Sequence, residues 1–380
     1  MVTSFTEEQE LLRQAVRDFV RKECPREYVR RCDEERQPPR EAFRALARQG
    51  WLGLGIPEAY GGAGGGTTEG AILLEELGRG FLDLAFWVFR VLAYGGHAIL
   101  RDGTEEQKRR FLPKVAQGES VFCFALTEPE AGSDAAAIST RAVAQGDGFL
   151  LNGQKIFTSG FRVSDRCLLA ARTDSSGARH QGITTFLVDC RAPGITTHVI
   201  ETLGHRPVGT NQVFLENVRV GPEDVLGKVN EGWAGLMAYL EYERLCLSAA
   251  RTGAAQAVLA VALEHAKVRK QFGRPIGHFQ AIAHKLADME TMVDISQVLV
   301  YRYAQLLDAG KVRRRDAAIL KLYTSETYKA VADMGMQVLG GYGYTMESEM
   351  QRHYRDSRLG TIGAGSSEIQ RNIIAKDMGL

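Results

Sequence analysis

In the stretch YLEYERLCLSAA (Tyr239–Ala250) an acid interrupts an otherwise apolar helical pattern. Steps of four and three residues put Leu236, Leu240, Glu243, Leu247, Ala250, Ala254 and Ala257 on one face. A carboxylate on a core-facing stripe loses hydration worth about several kcal/mol unless it is paired, protonated or used. Two readings follow from the residues alone. Glu243 is either a structural carboxylate paired with Arg244 or Arg251, or a carboxylate held dry for use in chemistry. Glu241 lies about 200° away around the helix and cannot share that face.

Other stretches carry groups that suit a ligand. In ALTEPEAGSD (Ala125–Asp134) the Thr127 and Ser133 hydroxyls beside a glycine-opened backbone suit a polar planar molecule, or merely a capped turn. RKQFGRPIGHFQ (Arg269–Gln280) breaks a helix at Gly273 and Pro275; its arginine, glutamine and phenylalanine fit a phosphate and an aromatic ring, or simply end a helix hairpin. In QVLGGYGYTMESEMQRHYRD (Gln337–Asp356) paired glycines allow close backbone approach after a helix. YGGAGGGTTEG (Tyr60–Gly70) lacks both phosphate-loop spacings and reads as a mobile loop.

These stretches need a scaffold, and the pattern divides into three. Helical spacing runs from Phe5 to about Lys114; short alternating or β-branched runs separated by turns fill roughly 120 to 226; helical period returns near 231–270, 277–308, 315–341 and 366–377. The expected architecture is mainly α with a central β domain. It comprises an N-terminal α-helical domain (1–118), an antiparallel β-barrel (119–228) and a C-terminal four-helix bundle (229–380). A chain of 380 residues is long enough to need several packed subregions.

Composition narrows the function classes. The formal net charge of +1 offers no general field for nucleic acid or an anionic membrane surface. The six cysteines show no Cys-x-x-Cys spacing and the eight histidines no His-Glu-x-x-His, so neither a disulfide framework nor a metal centre is expected. MVTSFTEEQELLRQAVRDF has a helix start and no apolar run long enough for a signal peptide or membrane span, so a cytoplasmic address is expected.

Taken in order across the helix, sheet, helix layout, the LTEPEAGSD and QVLGGYGYTMESEMQRHYRD elements, with RKQFG between them, resemble the two diagnostic patterns of the acyl-CoA dehydrogenase family over essentially the whole chain. The resemblance implies FAD. Phe124, Leu126, Thr127 and Ser133 would contact the isoalloxazine or the thioester end of the substrate, with Phe157, Thr158 and Ser159 on the other side of the flavin. Phe157 stands where the family usually has tryptophan. Arg269, Gln271, Phe272, Gln280, Gln337, Gly340 and Gly341 would reach the FAD of a neighbouring subunit, and Ser366 and Glu368 match further FAD positions. A shared cofactor implies an oligomer, a dimer of dimers making a homotetramer.

Most of the family places its catalytic glutamate in a carboxyl-terminal Tyr-Glu-Gly-Thr stretch, but here that stretch is IGAGSSEIQ (Ile362–Gln370), with Gly363 and Ala364 at the Tyr-Glu positions. A subgroup typified by isovaleryl-CoA dehydrogenase has alanine there and a glutamate before an arginine on the long helix, and YERL, with Glu243 before Arg244, resembles it. The resemblance thus implies that Glu243 is the base and that Ser133, Arg244, Gly363, Ala364 and Gly365 meet the substrate, with the Ala364 backbone N–H stabilising the thioester oxygen. The lost bulk at 363 and 364 favours a short or branched acyl chain. Expected partners are an acyl thioester, on coenzyme A or a carrier protein, and an electron-transfer flavoprotein. Other readings are a flavin monooxygenase or oxidase on the same scaffold, or a catalytically idle one.

Overall fold

In the computed structural model, which describes residues 5–380, the chain runs from helices through a sheet to helices. Met1–Ser4, the first residues of the stretch read for a signal peptide, lie outside the described residues. Helices α1 (Glu7–Glu23), α2 (Arg26–Glu34), α3 (Arg40–Ala47), α4 (Thr67–Gly80), α5 (Leu82–Arg90), α6 (Ala98–Asp102) and α7 (Glu105–Ala116) make the first layer. α1 starts on a capping box in which Thr6 and Gln9 satisfy each other's backbone N–H, and Thr104 with Gln107 does the same for α7. Between α5 and α6 the helix widens to i→i+5 turns over Val91–His97. The glycine-rich stretch expected to be a mobile loop is pinned instead. Gly55 N donates to Gly64 O and Gly64 N to Ile56 O, each at 2.9 Å, and Thr67 already belongs to α4.

Strands β1 (Phe122–Ala125), β2 (Arg141–Gln145), β3 (Gly148–Ser159), β4 (Arg166–Arg172), β5 (Ile183–Asp189), β6 (Ile195–Ile200), β7 (Thr210–Val220) and β8 (Val225–Leu226) form one eight-stranded sheet. Its order is β6-β7-β3-β2-β4-β5-β8, with β1 also paired to β4. The central β domain is therefore present, but not as a purely antiparallel barrel. β1 and β2 each pair with β4 in parallel, and the path ends at β6 and β8 with no closing pair among the described residues. The physical reason lies in the connections: β1 reaches β4 only through a long segment and the β2–β3 hairpin, and a crossover of that length permits parallel pairing.

The last third contains α8 (Gly232–Val268), a β9–β10 hairpin (Lys270–Gln271, Arg274–Pro275), α9 (Gln280–Asp308), α10 (Arg314–Leu339), α11 (Gly341–Tyr344), α12 (Glu349–Ser357) and α13 (Ser367–Asp377). α10 packs on α8, α9 and α13, and α8 on α9, which is the expected bundle. By length and composition α8 could cross a membrane, yet 78% of its apolar window is buried inside the molecule. It is a core helix, and α4 crosses it at backbone distance. A Cβ on Gly253 would sit 1.8 Å from the Glu75 carbonyl oxygen, and one on Gly78 2.1 Å from that of Ala250.

One side chain ties the three regions together. The ring of His205, from the β6–β7 connection, sets Nδ1 3.1 Å from Asp83 Oδ1 in α5 and Nε2 3.2 Å from the Asp356 carbonyl oxygen in α12. The His205 backbone N–H also donates to Asp356 Oδ1 at 2.7 Å. With an acceptor at each ring nitrogen, the imidazolium is the form that satisfies both. Burial alone would lower the pKa of His205, but Asp356 and Asp83 outweigh it and hold the pKa above the usual histidine value. The stability this clasp adds is complete below the unfolded histidine pKa of about 6.5 and is lost as pH rises through the folded value. Thermal unfolding from pH 6 to 8.5 should therefore show a steeper fall in Tm for the wild type than for His205→Gln; parallel curves would contradict the clasp.

Candidate active site

Of the stripe expected on α8, Leu236, Leu247, Ala250 and Ala254 are buried and Leu240 and Ala257 half-buried, and Glu243 among them is only 8% exposed. Glu241 is half-buried on another face. The ion-pair reading of Glu243 finds no support in the geometry. No basic nitrogen of the described residues lies within 4.0 Å of its carboxylate, it takes part in no hydrogen bond of normal geometry, and Oε2 is buried without a partner. Burial pushes its pKa above the usual glutamate value, although Tyr94, Arg244, Arg251 and Arg90 each pull the other way. A carboxyl so placed is drier and more basic than one in water.

Two elements approach it and its neighbour Arg244. Tyr94, in the widened turn between α5 and α6, directs its hydroxyl toward Glu243 and stacks on Phe124 of β1, with ring centroids 5.1 Å apart. The Gly363–Gly365 turn approaches from the carboxyl-terminal side, where a Cβ on Gly365 would lie 3.7 Å from Arg244 Nη2. Ala364 is held at φ +55°, a left-handed conformation that costs a residue with a Cβ about 1 kcal/mol or more. Lys321 Nζ donates to Gly365 O at 2.6 Å and Gln370 Nε2 to the same oxygen at 3.0 Å, which keeps the turn in place. Lys321 is buried, and burial lowers its pKa to about 7.

The ALTEPEAGSD motif is fastened by a carboxylate. Glu128 Oε1 accepts from Lys155 Nζ at 2.7 Å and from Thr140 N at 2.9 Å, while Oε2 accepts from Ser139 N and Oγ at 2.6 and 2.8 Å. Lys155 Nζ also donates to Leu126 O at 3.1 Å, and Ile156 N to Thr127 O at 2.9 Å. These bonds set Leu126 and Thr127 against the end of β3. There Phe157 is 61% exposed and left-handed at φ +56°, and Thr158 is buried with Oγ1 lacking any partner. Ser159 is half-buried and Ser133 exposed. An orphaned buried hydroxyl beside an open phenyl ring fits a planar, hydrogen-bonding ligand such as a flavin.

Not every candidate residue comes to Glu243. Arg269, the residue just past the end of α8, lies 26 residues beyond Glu243, about 39 Å by helical rise. Arg269, Gln271, Phe272, Gln280, Gln337, Gly340 and Gly341 are all exposed around the far end of that helix. The Arg269 guanidinium sits 5.5 Å over the Tyr342 ring, and Phe272 is 93% exposed with φ +50°. An open aromatic surface of this kind suits a ligand or a second chain. Ser366 caps α13 by accepting from Ile369 N at 3.4 Å, and Glu368 is exposed in that helix's first turn. The sequence reading missed Tyr94, Lys321 and Gln370. Lys321 carried a visible signal, a charge on the apolar face of α10, whereas the approach of Tyr94 depends on the widened turn.

A buried, unpaired carboxylate, with an orphaned hydroxyl and an open aromatic ring at the end of β3, on a helix, sheet, helix scaffold, fits the class of flavin-dependent dehydrogenases. The chain belongs to the acyl-CoA dehydrogenase family: the N-terminal, middle and C-terminal domain models of that family match residues 6–119, 123–218 and 230–379. Its cofactor is FAD, and it acts on acyl thioesters. It is 37% identical over 373 residues to the caffeyl-CoA reductase-Etf complex subunit CarC of Acetobacterium woodii, covering 98% of each. It is 34% identical to the mitochondrial isovaleryl-CoA dehydrogenase of Pongo abelii, covering 99% of this chain and 89% of that one. A structure of glutaryl-coenzyme A dehydrogenase with glutaryl-CoA superposes with a TM-score of 0.96 at 34% identity, covering 100% of this chain and 96% of that one.

The Glu128–Lys155 pair gives a test. Glu128→Gln leaves a buried ammonium without its counter-charge and should cost about 3–5 kcal/mol, seen as a large fall in Tm and loss of flavin on gel filtration. Adding Lys155→Met should recover part of the loss. A Glu128→Gln protein with wild-type Tm and flavin content would contradict the fastening role.

Proposed function

We propose that Glu243 abstracts the α proton of a short or branched acyl thioester, giving the 2-enoyl thioester. The observation that carries this is a buried, unpaired carboxyl on α8 in a chain whose carboxyl-terminal turn offers Ala364 instead of an acid. The bound flavin would supply the acceptor for the β hydride. The chain's own residues do the rest. Burial makes Glu243 more basic than a carboxylate in water, and the Tyr94 hydroxyl lies toward it. The left-handed turn at Ala364, held by Lys321 and Gln370, presents a backbone N–H to the thioester oxygen as enolate charge builds. Arg244, buried beside Gly365, adds positive charge on the same side.

FAD would be held by Phe124, Leu126, Thr127, Ser133, Phe157, Thr158 and Ser159, with the exposed set from Arg269 to Gly341, and Ser366 and Glu368, serving the cofactor across a subunit interface. The orphaned Thr158 hydroxyl and the open Phe157 and Phe272 rings support this assignment. The open Phe272 ring suits a second chain, and we take the assembly to be a homotetramer built as a dimer of dimers. We take the electron acceptor to be an electron-transfer flavoprotein, in keeping with the relative whose name places it in an Etf complex. Coenzyme A and carrier-protein thioesters present the same arm to this cleft.

Anaerobic addition of butyryl-, isobutyryl- or isovaleryl-CoA to the FAD-bound enzyme should bleach the flavin absorbance, and an electron-transfer flavoprotein should restore it. Bleaching that rises steadily toward long straight chains and is negligible for these short ones would contradict the substrate assignment. No bleaching by any thioester would contradict the reaction.

A further inference from the structure

The cleft around Glu243 holds more buried positive charge than any acid of this chain matches. Arg251, two helical turns beyond Glu243 on α8, is 2% exposed, donates no hydrogen bond to the described residues, and has a buried Nη1 without a partner among them. No carboxylate of the described residues lies within 4.0 Å of it. Arg90, on the facing helix α5, is 6% exposed and spends one N–H on the Phe86 carbonyl oxygen at 2.7 Å, again with no carboxylate of the described residues within 4.0 Å. Phe86 joins the two, since the Arg251 guanidinium lies 5.6 Å over its ring. The carboxylates that could have served, Asp83 and Asp356, are committed to His205 at 3.1 and 2.7 Å.

A buried guanidinium without a counter-charge costs about several kcal/mol of lost hydration, and removing the charge from such a site is usually stabilising. Its natural complement is a carboxylate, which the planar fork can bind bidentately. Glu243 does not fill that role, since its own burial pushes it toward the neutral acid, whereas Arg251, lowered by burial to about 10, stays charged at neutral pH. The groups that face Arg251 are Glu243 on its own helix, Lys321 and Tyr328 on α10, and His205 from the β6–β7 connection. None supplies a free anion.

Eight residues of helix advance about 12 Å and turn about 80°, so Arg251 lies on the same side of α8 as Glu243. Long helical side chains lean toward the helix N-terminus, which brings the guanidinium back toward Glu243. We propose that Arg251, assisted by Arg90, binds a carboxylate at the far end of the acyl group, so that the substrate is a short dicarboxylic acyl thioester. This rests on the reading that Glu243 meets the substrate's α carbon.

The test compares glutaryl-CoA with valeryl-CoA, which match in length and differ in a terminal carboxylate against a methyl group. Binding to FAD-bound enzyme is read by thermal shift and by perturbation of the flavin absorbance, and flavin reduction is read separately. The wild type should bind glutaryl-CoA at least tenfold more tightly than valeryl-CoA. Arg251→Met should lose at least tenfold for glutaryl-CoA and none for valeryl-CoA, with an unliganded Tm at or above wild type; Arg251→Lys should keep part of the preference, and Arg90→Met should lower it independently. A wild type that prefers valeryl-CoA would overturn the proposal. So would an Arg251→Met protein with an unchanged preference and a shifted pH profile of flavin reduction, because the arginine would then only tune Glu243. Tight glutaryl-CoA binding with no flavin reduction by any thioester would sink the dehydrogenation reading and keep the carboxylate site. Flavin reduction by butyryl-CoA with no glutaryl-CoA binding would do the reverse.

Discussion

Everything in this molecule is arranged around keeping one carboxyl group out of water without pairing it. A glutamate in that state is not stable on its own terms, because burial favours its neutral form and no neighbouring cation comes within ion-pair distance. The nearby guanidinium groups of Arg90, Arg244 and Arg251 act on it only at longer range. That balance leaves an acid whose proton can come and go, which suits a base acting on carbon.

The scaffold supplies dryness and aim by separate means. Dryness comes from α8 being buried without a break from Glu243 to Ala255, with α4 pressed so close at Gly78 and Gly253 that neither position has room for a side chain. Aim comes from strain and buried hydrogen bonds. Ala364 is held left-handed by a buried lysine and glutamine gripping the next carbonyl, Phe157 is left-handed at the end of β3, and Tyr94 is placed by a widened helical turn. The His205 clasp then fixes the three layers relative to one another, and the Glu128–Lys155 pair fastens the turn after β1 to β3.

Much of this was legible in the sequence, for identifiable reasons. α8, α9, α10 and α13 fall close to the expected spans because long apolar helices carry a strong period. Glu243 stood out because a charge on such a stripe has few explanations. Lys321 bears the same mark on α10. Other features have no signature in a single sequence. Alternation shows that strands exist but not which neighbour each takes, so the parallel pairings of β1 and β2 with β4 went unseen. Left-handed backbone is foreseeable at glycine but not at Phe157, Phe272 or Ala364. The pairing of Glu243 with Arg244 or Arg251 was a sound alternative from spacing alone, and only distances between side chains could decide against it.

The most direct measurement is the rate at which FAD-bound enzyme exchanges the α hydrogen of a bound acyl thioester with deuterated water, compared between wild type and Glu243→Gln. If Glu243 is the group that takes this proton, the amide variant should bind the thioester with little change in affinity yet lose exchange by at least about a thousandfold, in line with the weight of a positioned base and its electrostatic surroundings. An exchange rate that survives the substitution would show that another group removes the proton.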